Sequence, residues 1–353
     1  MELPTRKEIL ARVRGQGLRV AGVLPIHYPR ALLRAYGFHP MEIWGPPGME
    51  VHGGGGHFPE YTCAVARFAA AFLAAGGREA VDCVLVPHTC DSLQGAAAIL
   101  RQVLGPARPV FTLYNPRGAG EAAEEFLARE LAQLAGALGR LAAVSPTDAE
   151  LHRAIDRENR ADLVFNRMCR DRRAYAVDDR TFYTILRSRE YLPPEDFCAL
   201  EPPRGAAPGG VGVMLAGIVP EPMALFDLFA EHGALVAADD LACGSRRLYQ
   251  PLDHPDPLRR LARQLLSKPP DPTAGHDVAA RIAWVTRRLA ESGARGLIVY
   301  NVKFCEPELF FLPLERQALE ERGWPYLYLE ESLPTTLSHQ SRTRLEAFLE
   351  VLQ

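Results

Sequence analysis

The chain has 353 residues, 48% of them hydrophobic, which is enough to bury a sizeable core. At roughly 100–200 residues per domain, that length suggests two domains with a helical insert. Forty Lys and Arg against 43 Asp and Glu leave a net charge of −3. With no basic stripe carrying interleaved aromatics, nucleic acid is excluded as an expected partner. No run of about 18 apolar residues marks a membrane span. The opening MELPTRKEILARVRG reads as a charged helix and lacks the apolar stretch of a secretory signal, so a cytoplasmic location is expected.

In chain order, LRVAGVLP (18–25) reads as a strand, ALLRAYG (31–37) as a helix ended by Gly37, and MEIWG (41–45) as a second short strand. AVARFAAAFLAAGG (64–77) is an Ala-rich helix stopped by two glycines. VDCVLVPH (81–88) is a strand apolar on both faces, followed by a helix over 92–105, a strand over 109–115 and a long helix over 121–142. The charged stretch 145–200 is mostly helical, and EPPRGAAPGG (201–210) is a Pro/Gly-rich linker. Strands follow at 210–217, 234–240, 296–301 and 325–330, with helices near 222–232, 256–266, 276–292 and 307–322. SHQSRTRLEAFLEVLQ closes the chain as an amphipathic helix. Alternation of this kind argues for an α/β protein with two doubly wound, Rossmann-like parallel-sheet domains. The expected division is 1–150, a helical connector over 151–205, and 206–353.

Seven cysteines are dispersed along the chain, without the close pairs of a zinc ribbon. An odd number in a large chain without a signal argues against a disulfide framework. Cys83 lies inside a strand, and Cys169 and Cys198 lie in the charged middle segment, so all three read as core residues. Cys63, Cys90, Cys243 and Cys305 instead follow strands or begin helices. That is the edge where open α/β sheets bind ligands. A helix N-terminus favours a thiolate, and iron–sulfur clusters are held by thiolates. Packing and ligation both account for a cysteine at such a position.

The local sequences around them resemble one family, that of the 2-hydroxyacyl-CoA dehydratases and benzoyl-CoA reductases. YTCAVAR, with Arg67 four residues after Cys63, is similar to the family's upstream cysteine motif. PHTCDSLQG resembles its cysteine–aspartate motif, and AADDLACGSR its aspartate-rich strand end before Gly-Ser-Arg. KFCEPELFFLPLERQALEERGWPYLYLE resembles its C-terminal cysteine motif, with Glu306 where aspartate is usual, and SRTRLEAFLE its closing helix. The five occur in the family's order and span about 20 to 353.

The resemblance implies an iron–sulfur subunit whose Cys63, Cys90 and Cys305 hold one 4Fe–4S cluster, with Cys243 as the runner-up for the third place. It implies low-potential one-electron chemistry on an acyl-CoA thioester, passing through a ketyl radical to dehydration or ring reduction. It also implies pairing with a homologous subunit, itself or a related chain, and an ATP-dependent iron–sulfur activator. No G-x-x-x-x-G-K-[ST] loop is present, so ATP chemistry falls to that activator. The alternatives are a double-cubane reductase of small molecules and a non-catalytic electron-transfer or scaffold subunit. The family often has acidic residues where Arg30 and Ala31 stand; if a substrate-site carboxylate belongs there, this chain lacks it. The run GGGG (53–56) between His52 and His57 reads as a flexible or gating loop, and His88 as packing, a hydrogen-bond donor or an acid/base group. Arg246 and Arg247 read either as solvated or as contacts for a CoA phosphate. The Ala-rich helix 64–75 and the loop 52–58 are the expected pairing surfaces.

Overall fold

A computed structural model of the chain describes residues 3–24, 27–43, 58–333 and 335–353. The glycine run with its flanking histidines, and so nearly all of the expected pairing loop, lies outside the described residues. The first half carries α1 (Arg6–Gly15), β1 (Arg19–Val23), α2 (Arg30–Ala35), β2 (Phe38–Glu42), α3 (Ala64–Ala74), β3 (Cys83–His88), α4 (Asp91–Leu104), β4 (Val110–Tyr114) and α5 (Glu121–Ala142). A helical stretch follows with α6 (Asp148–Arg170), α7 (Asp179–Ser188) and α8 (Pro194–Cys198). The second half carries β5 (Val211–Gly217), α9 (Ala224–Glu231), β6 (Ala234–Leu241), α10 (Pro257–Leu266), α11 (Val278–Ser292), β7 (Leu297–Val302), α12 (Glu306–Glu320), β8 (Tyr326–Glu331) and α13 (His339–Leu352). None of the described helices is long and apolar enough to cross a membrane.

The strands form two parallel four-stranded sheets of the same order, β2-β1-β3-β4 and β6-β5-β7-β8. Strands buried on both faces explain the apolar runs. In β3, Cys83 and Leu85 point to one core and Val84 and Val86 to the other. In β7, Leu297 and Val299 alternate with Ile298, Tyr300 and Val302 in the same way. One of these cores is continuous between the sheets, joining Val84 and Val86 to Ile298 and Tyr300 through Phe165, Phe182 and Phe229. α10 lies between the strands of the second sheet in sequence, yet its Leu261 and Leu265 pack with Leu127 and Leu131 of α5. The expected strand 41–45 starts at Phe38 instead. Pro40 lacks an N–H, but β2 is an edge strand, where that donor is not required of every residue.

In each sheet the chain reverses its winding between the first and third strands, β1/β3 and β5/β7. Gly217 ends β5 with a φ of 143°, and a Cβ there would stand 2.0 Å from the Tyr300 carbonyl oxygen of β7. Only glycine allows that approach.

A buried polar seam fastens the two halves. His27, just beyond β1, places Nδ1 2.6 Å from the Tyr249 hydroxyl and Nε2 2.7 Å from the Asp271 carboxylate. A carboxylate only accepts, so Nε2 carries the proton and Nδ1 accepts from Tyr249. Glu190 accepts from Tyr28 at 2.9 Å, from Arg30 at 2.6 Å and from Arg247. Burial pushes the His27 imidazole down to about 4, against the opposing pull of Asp271. Burial alone would raise Asp271, but the His27 hydrogen bond and Arg246 hold its carboxyl well below the usual range.

Below pH 6.5 the unfolded chain takes up a proton that folded His27 refuses down to about pH 4. Stability is therefore fully present above pH 6.5 and is lost as pH falls toward 4, by up to about 3 kcal/mol from this group. His27→Gln should lose stability less steeply than the natural chain between pH 7 and 5 in denaturant titrations. Parallel curves for the two proteins would refute the assignment.

Candidate functional site

Three of the predicted cysteines stand at one kind of position. Cys63 is the N-cap of α3, Cys90 of α4 and Cys305 of α12. α3 and α4 both pack on the continuous core, and the Cys63 N–H reaches the Ser92 hydroxyl at 3.5 Å. Cys90 follows β3 and Cys305 follows β7, the corresponding third strands of the two sheets. Between β7 and α12 the chain turns through Phe304 at a φ of 64°. A left-handed bulky residue costs about 1–3 kcal/mol and persists only where its surroundings impose it. The turn is closed by the Cys305 N–H donating to the Val302 carbonyl at 3.0 Å.

None of the three sulfurs closes a cap hydrogen bond. Even so, burial lifts each thiol while nearby N–H groups favour its thiolate: Val65 and Ala66 for Cys63, Leu93 and Ser92 for Cys90, Glu308 for Cys305. Cys90 rises to about 12. Ionisation of Cys63 would further disfavour the thiolates of Cys90 and Cys305, and that of Cys90 would disfavour the thiolate of Cys305. Cys243 is different. Burial takes it to about 12 as well, but its strongest electrostatic neighbours are Arg187, Arg247, Glu42 and Asp239, and it is one of the groups acting on Cys169 in the core. Among the described residues, no three or more of His, Cys, Asp and Glu close on a position for a single metal ion. Cys83 and Cys169 are core residues and Cys198 is half-buried at the end of α8. His88 sits edge-on to Tyr114, with ring centroids 4.8 Å apart.

The segment AADDLACGSR is a buried electrostatic knot. Asp239 accepts from the Leu241 and Ser245 N–H groups at 3.1 and 2.7 Å. Gly244 makes room for that carboxylate, since a Cβ there would lie 2.3 Å from its oxygen. Asp240 accepts from Arg246 Nε at 2.8 Å, from Trp284 Nε1 at 2.8 Å and from Arg281. Arg246 also pairs with Glu308 in the first turn of α12, and lies 3.6 Å from Asp271. Arg246 and Arg247 are 0% and 2% exposed. Neither is solvated or free for a phosphate, as the sequence suggested; both are consumed by carboxylates. Arg30 is consumed likewise by Glu190. The sequence signal for this knot was the paired Asp239–Asp240 before Arg246–Arg247, and Glu308 three residues after Cys305.

Two parallel doubly wound sheets, with cysteines at the N-cap positions of three of their helices, define a two-part α/β protein. The model of the family described as 2-hydroxyglutaryl-CoA dehydratase, D-component, matches residues 25–352, so the chain belongs to this family of enzyme subunits. It is similar to the lactoyl-CoA dehydratase subunit beta of Anaerotignum propionicum, with 28% identity over 95% of this chain and 92% of that one. It is similar also to the (R)-2-hydroxyglutaryl-CoA dehydratase subunit beta of Acidaminococcus fermentans, with 26% identity over 98% and 96%. A benzoyl-CoA reductase subunit of Thauera aromatica is 23% identical over 89% of this chain and 86% of its own.

Removing Arg246 would leave Asp240 and Glu308 buried without their shared counter-charge. Arg246→Met should cost about 3–5 kcal/mol of unfolding free energy. Arg246→Lys should cost less, because it keeps the charge and loses only the forked geometry. Denaturant melts indistinguishable from the natural chain for both variants would contradict the knot.

Proposed function

We propose that this chain is the iron–sulfur subunit of a 2-hydroxyacyl-CoA dehydratase or benzoyl-CoA reductase type of enzyme, with one 4Fe–4S cluster held by Cys63, Cys90 and Cys305. The observation that carries this is the placement of Cys63, Cys90 and Cys305 each at the start of its own helix, in a chain of this family, with Cys90 and Cys305 close enough to Cys63 to feel its ionisation. Among the described residues no group closes on a single-ion position, and a cubane does not require one. With metal–sulfur bonds near 2.3 Å, its ligand sulfurs stand about 6–7 Å apart and do not meet at one point. Bound there, held by the three thiolates, such a cluster would supply single electrons at low potential.

The chain's own residues do the rest. Helix N–H groups offset the cluster's negative charge, the shared core excludes water from one side, and Arg246 holds the start of α12 in place. The substrate proposed is an acyl-CoA thioester. In the dehydratase branch, C2 loses hydroxyl and C3 loses a proton, so the products are water and an enoyl-CoA with no net oxidation. An electron supplied by an ATP-dependent iron–sulfur activator would be returned at the end of each dehydration, so that it is not consumed, and the open side of the site would be covered by a homologous subunit. α3 spends most of its surface on the core, leaving Arg67, Phe68 and Phe72 partly accessible. The larger exposed apolar side chains near the cysteines are Tyr61, Phe310 and Leu314. An interface over them should exceed about 1,000 Å².

A second reading has the chain relaying electrons to a partner that binds the substrate. Arg30 favours it, because that buried side chain points its charge at Glu190 and offers no carboxylate to a substrate. Acyl-CoA binding by the isolated chain would reject the relay reading.

Iron and sulfide analysis of anaerobically prepared protein tests the cluster. About four irons per chain are expected, whereas about eight would mean a double cubane. Cys63→Ala, Cys90→Ala and Cys305→Ala should each lower bound iron, and Cys243→Ala should not. Unchanged iron in Cys90→Ala, or a loss in Cys243→Ala that exceeds that in Cys305→Ala, would overturn the ligand set.

A further inference from the structure

A second site lies beyond the knot, in a hollow of about 420 Å³ between the end of α6, the 248–250 turn, the 267–270 turn and α11. Its walls include Arg170, Arg287 and Arg288 against one carboxylate, Glu291, and add the polar Gln250 and Ser267. Among the described residues, none of the three arginines pairs with a carboxylate, Glu291 included. Arg288 is only 6% exposed. Its Nη2 donates to the Cys169 carbonyl at 3.0 Å, while its Nε has no partner. The buried Asp239 feels its charge, but that carboxylate is engaged by Ser245 and Leu241. A guanidinium buried to this degree, with Nε unpaired and the carboxylate that feels it already engaged by backbone donors, is costly, and an anion entering the cavity would offset that cost.

The hollow's chemistry narrows the anion. The Arg287 and Arg288 guanidiniums lie 5.1 and 5.9 Å from the Trp284 ring centroid, so the indole acts as a platform that holds both forks. Trp284 is itself fixed by its bond to Asp240. Planar guanidinium forks lining one partly polar cavity suit the several oxygens of a phosphate group. Three positive groups against one negative suit a ligand with more than one negative charge.

We propose that this hollow is a phosphate-binding subsite. Resting on the acyl-CoA reading above, it seats the phosphate end of the CoA moiety; free phosphate or diphosphate is the other source of the same chemistry. The placement is coherent with that use. Trp284, Asp240, Arg246 and Glu308 form a continuous hydrogen-bonded chain from the hollow to the helix that Cys305 begins. The phosphate end would thus be anchored on the elements that carry one of the proposed cluster ligands, leaving the thioester arm to extend elsewhere.

Calorimetric titration of the full chain with coenzyme A and with inorganic pyrophosphate tests the proposal. Arg170 and Arg287 are exposed, so the double variant Arg170→Ala/Arg287→Ala should fold, and it should bind both probes about tenfold or more weakly. Arg288→Lys, which keeps the charge, should weaken binding less than the double variant. Binding of both probes by the double variant with natural affinity, or no binding of either by the natural chain, overturns the subsite. Arginine-dependent binding of pyrophosphate without coenzyme A supports a phosphate site and rejects CoA as its occupant. These titrations do not depend on iron, so a failed cluster assignment and a failed subsite are separate results.

Discussion

Arg246 is the contact on which the placement of α12, and of Cys305 at its start, depends. It is fully buried, and it joins the end of β6, through Asp240, to the first turn of α12, through Glu308. A charge in such a place is tolerated only if its partners are complete, because desolvating a guanidinium costs several kcal/mol that attraction must recover. Here the partners belong to separate elements, so satisfying the charge also fixes how those elements meet. Burial favours the neutral form of Arg246, yet three carboxylates outweigh it and keep the guanidinium charged. α12 therefore starts where the knot puts it, and Cys305 with it.

The same logic recurs along the seam between the halves. Glu190 comes from the helical connector, Arg30 from the first half and Arg247 from the second, so one carboxylate ties three segments. His27 binds across the halves to Tyr249 and Asp271 without carrying charge. The apolar core shared by the two sheets supplies the main driving force for their association. Such a core is indifferent to small rotations. Directional, buried hydrogen bonds are not, and they fix how the two halves meet.

The fold was readable because parallel strands buried on both faces announce themselves as apolar runs, and β3 and β7 do so over VLV and LIV. Cysteines after such strands could be placed at the sheet edge from sequence order alone. The partners of Arg30, Arg246 and Arg247 could not. A sequence pattern shows that an arginine is charged; it does not show whether a carboxylate tens of residues away removes it from water. Glu190 and Arg30 lie 160 positions apart. The start of β2 was hidden for a related reason: Pro40 breaks the local pattern, and only the edge position of that strand makes it acceptable.

The two sheets share a strand order, and Cys90 and Cys305 occupy corresponding places after their third strands. Cys63 breaks this correspondence, since it caps a helix that precedes the third strand. The asymmetry has a chemical consequence. Two equivalent thiols, one on each half, would suit a disulfide or one ion. Under the proposed ligand set the first half would supply two thiols and the second half one, a division that a polynuclear cluster accepts because its corners can be held from unequal sides. The left-handed Phe304 lies in the turn that leads into the one proposed ligand of the second half, so the backbone strain falls where that cysteine is positioned.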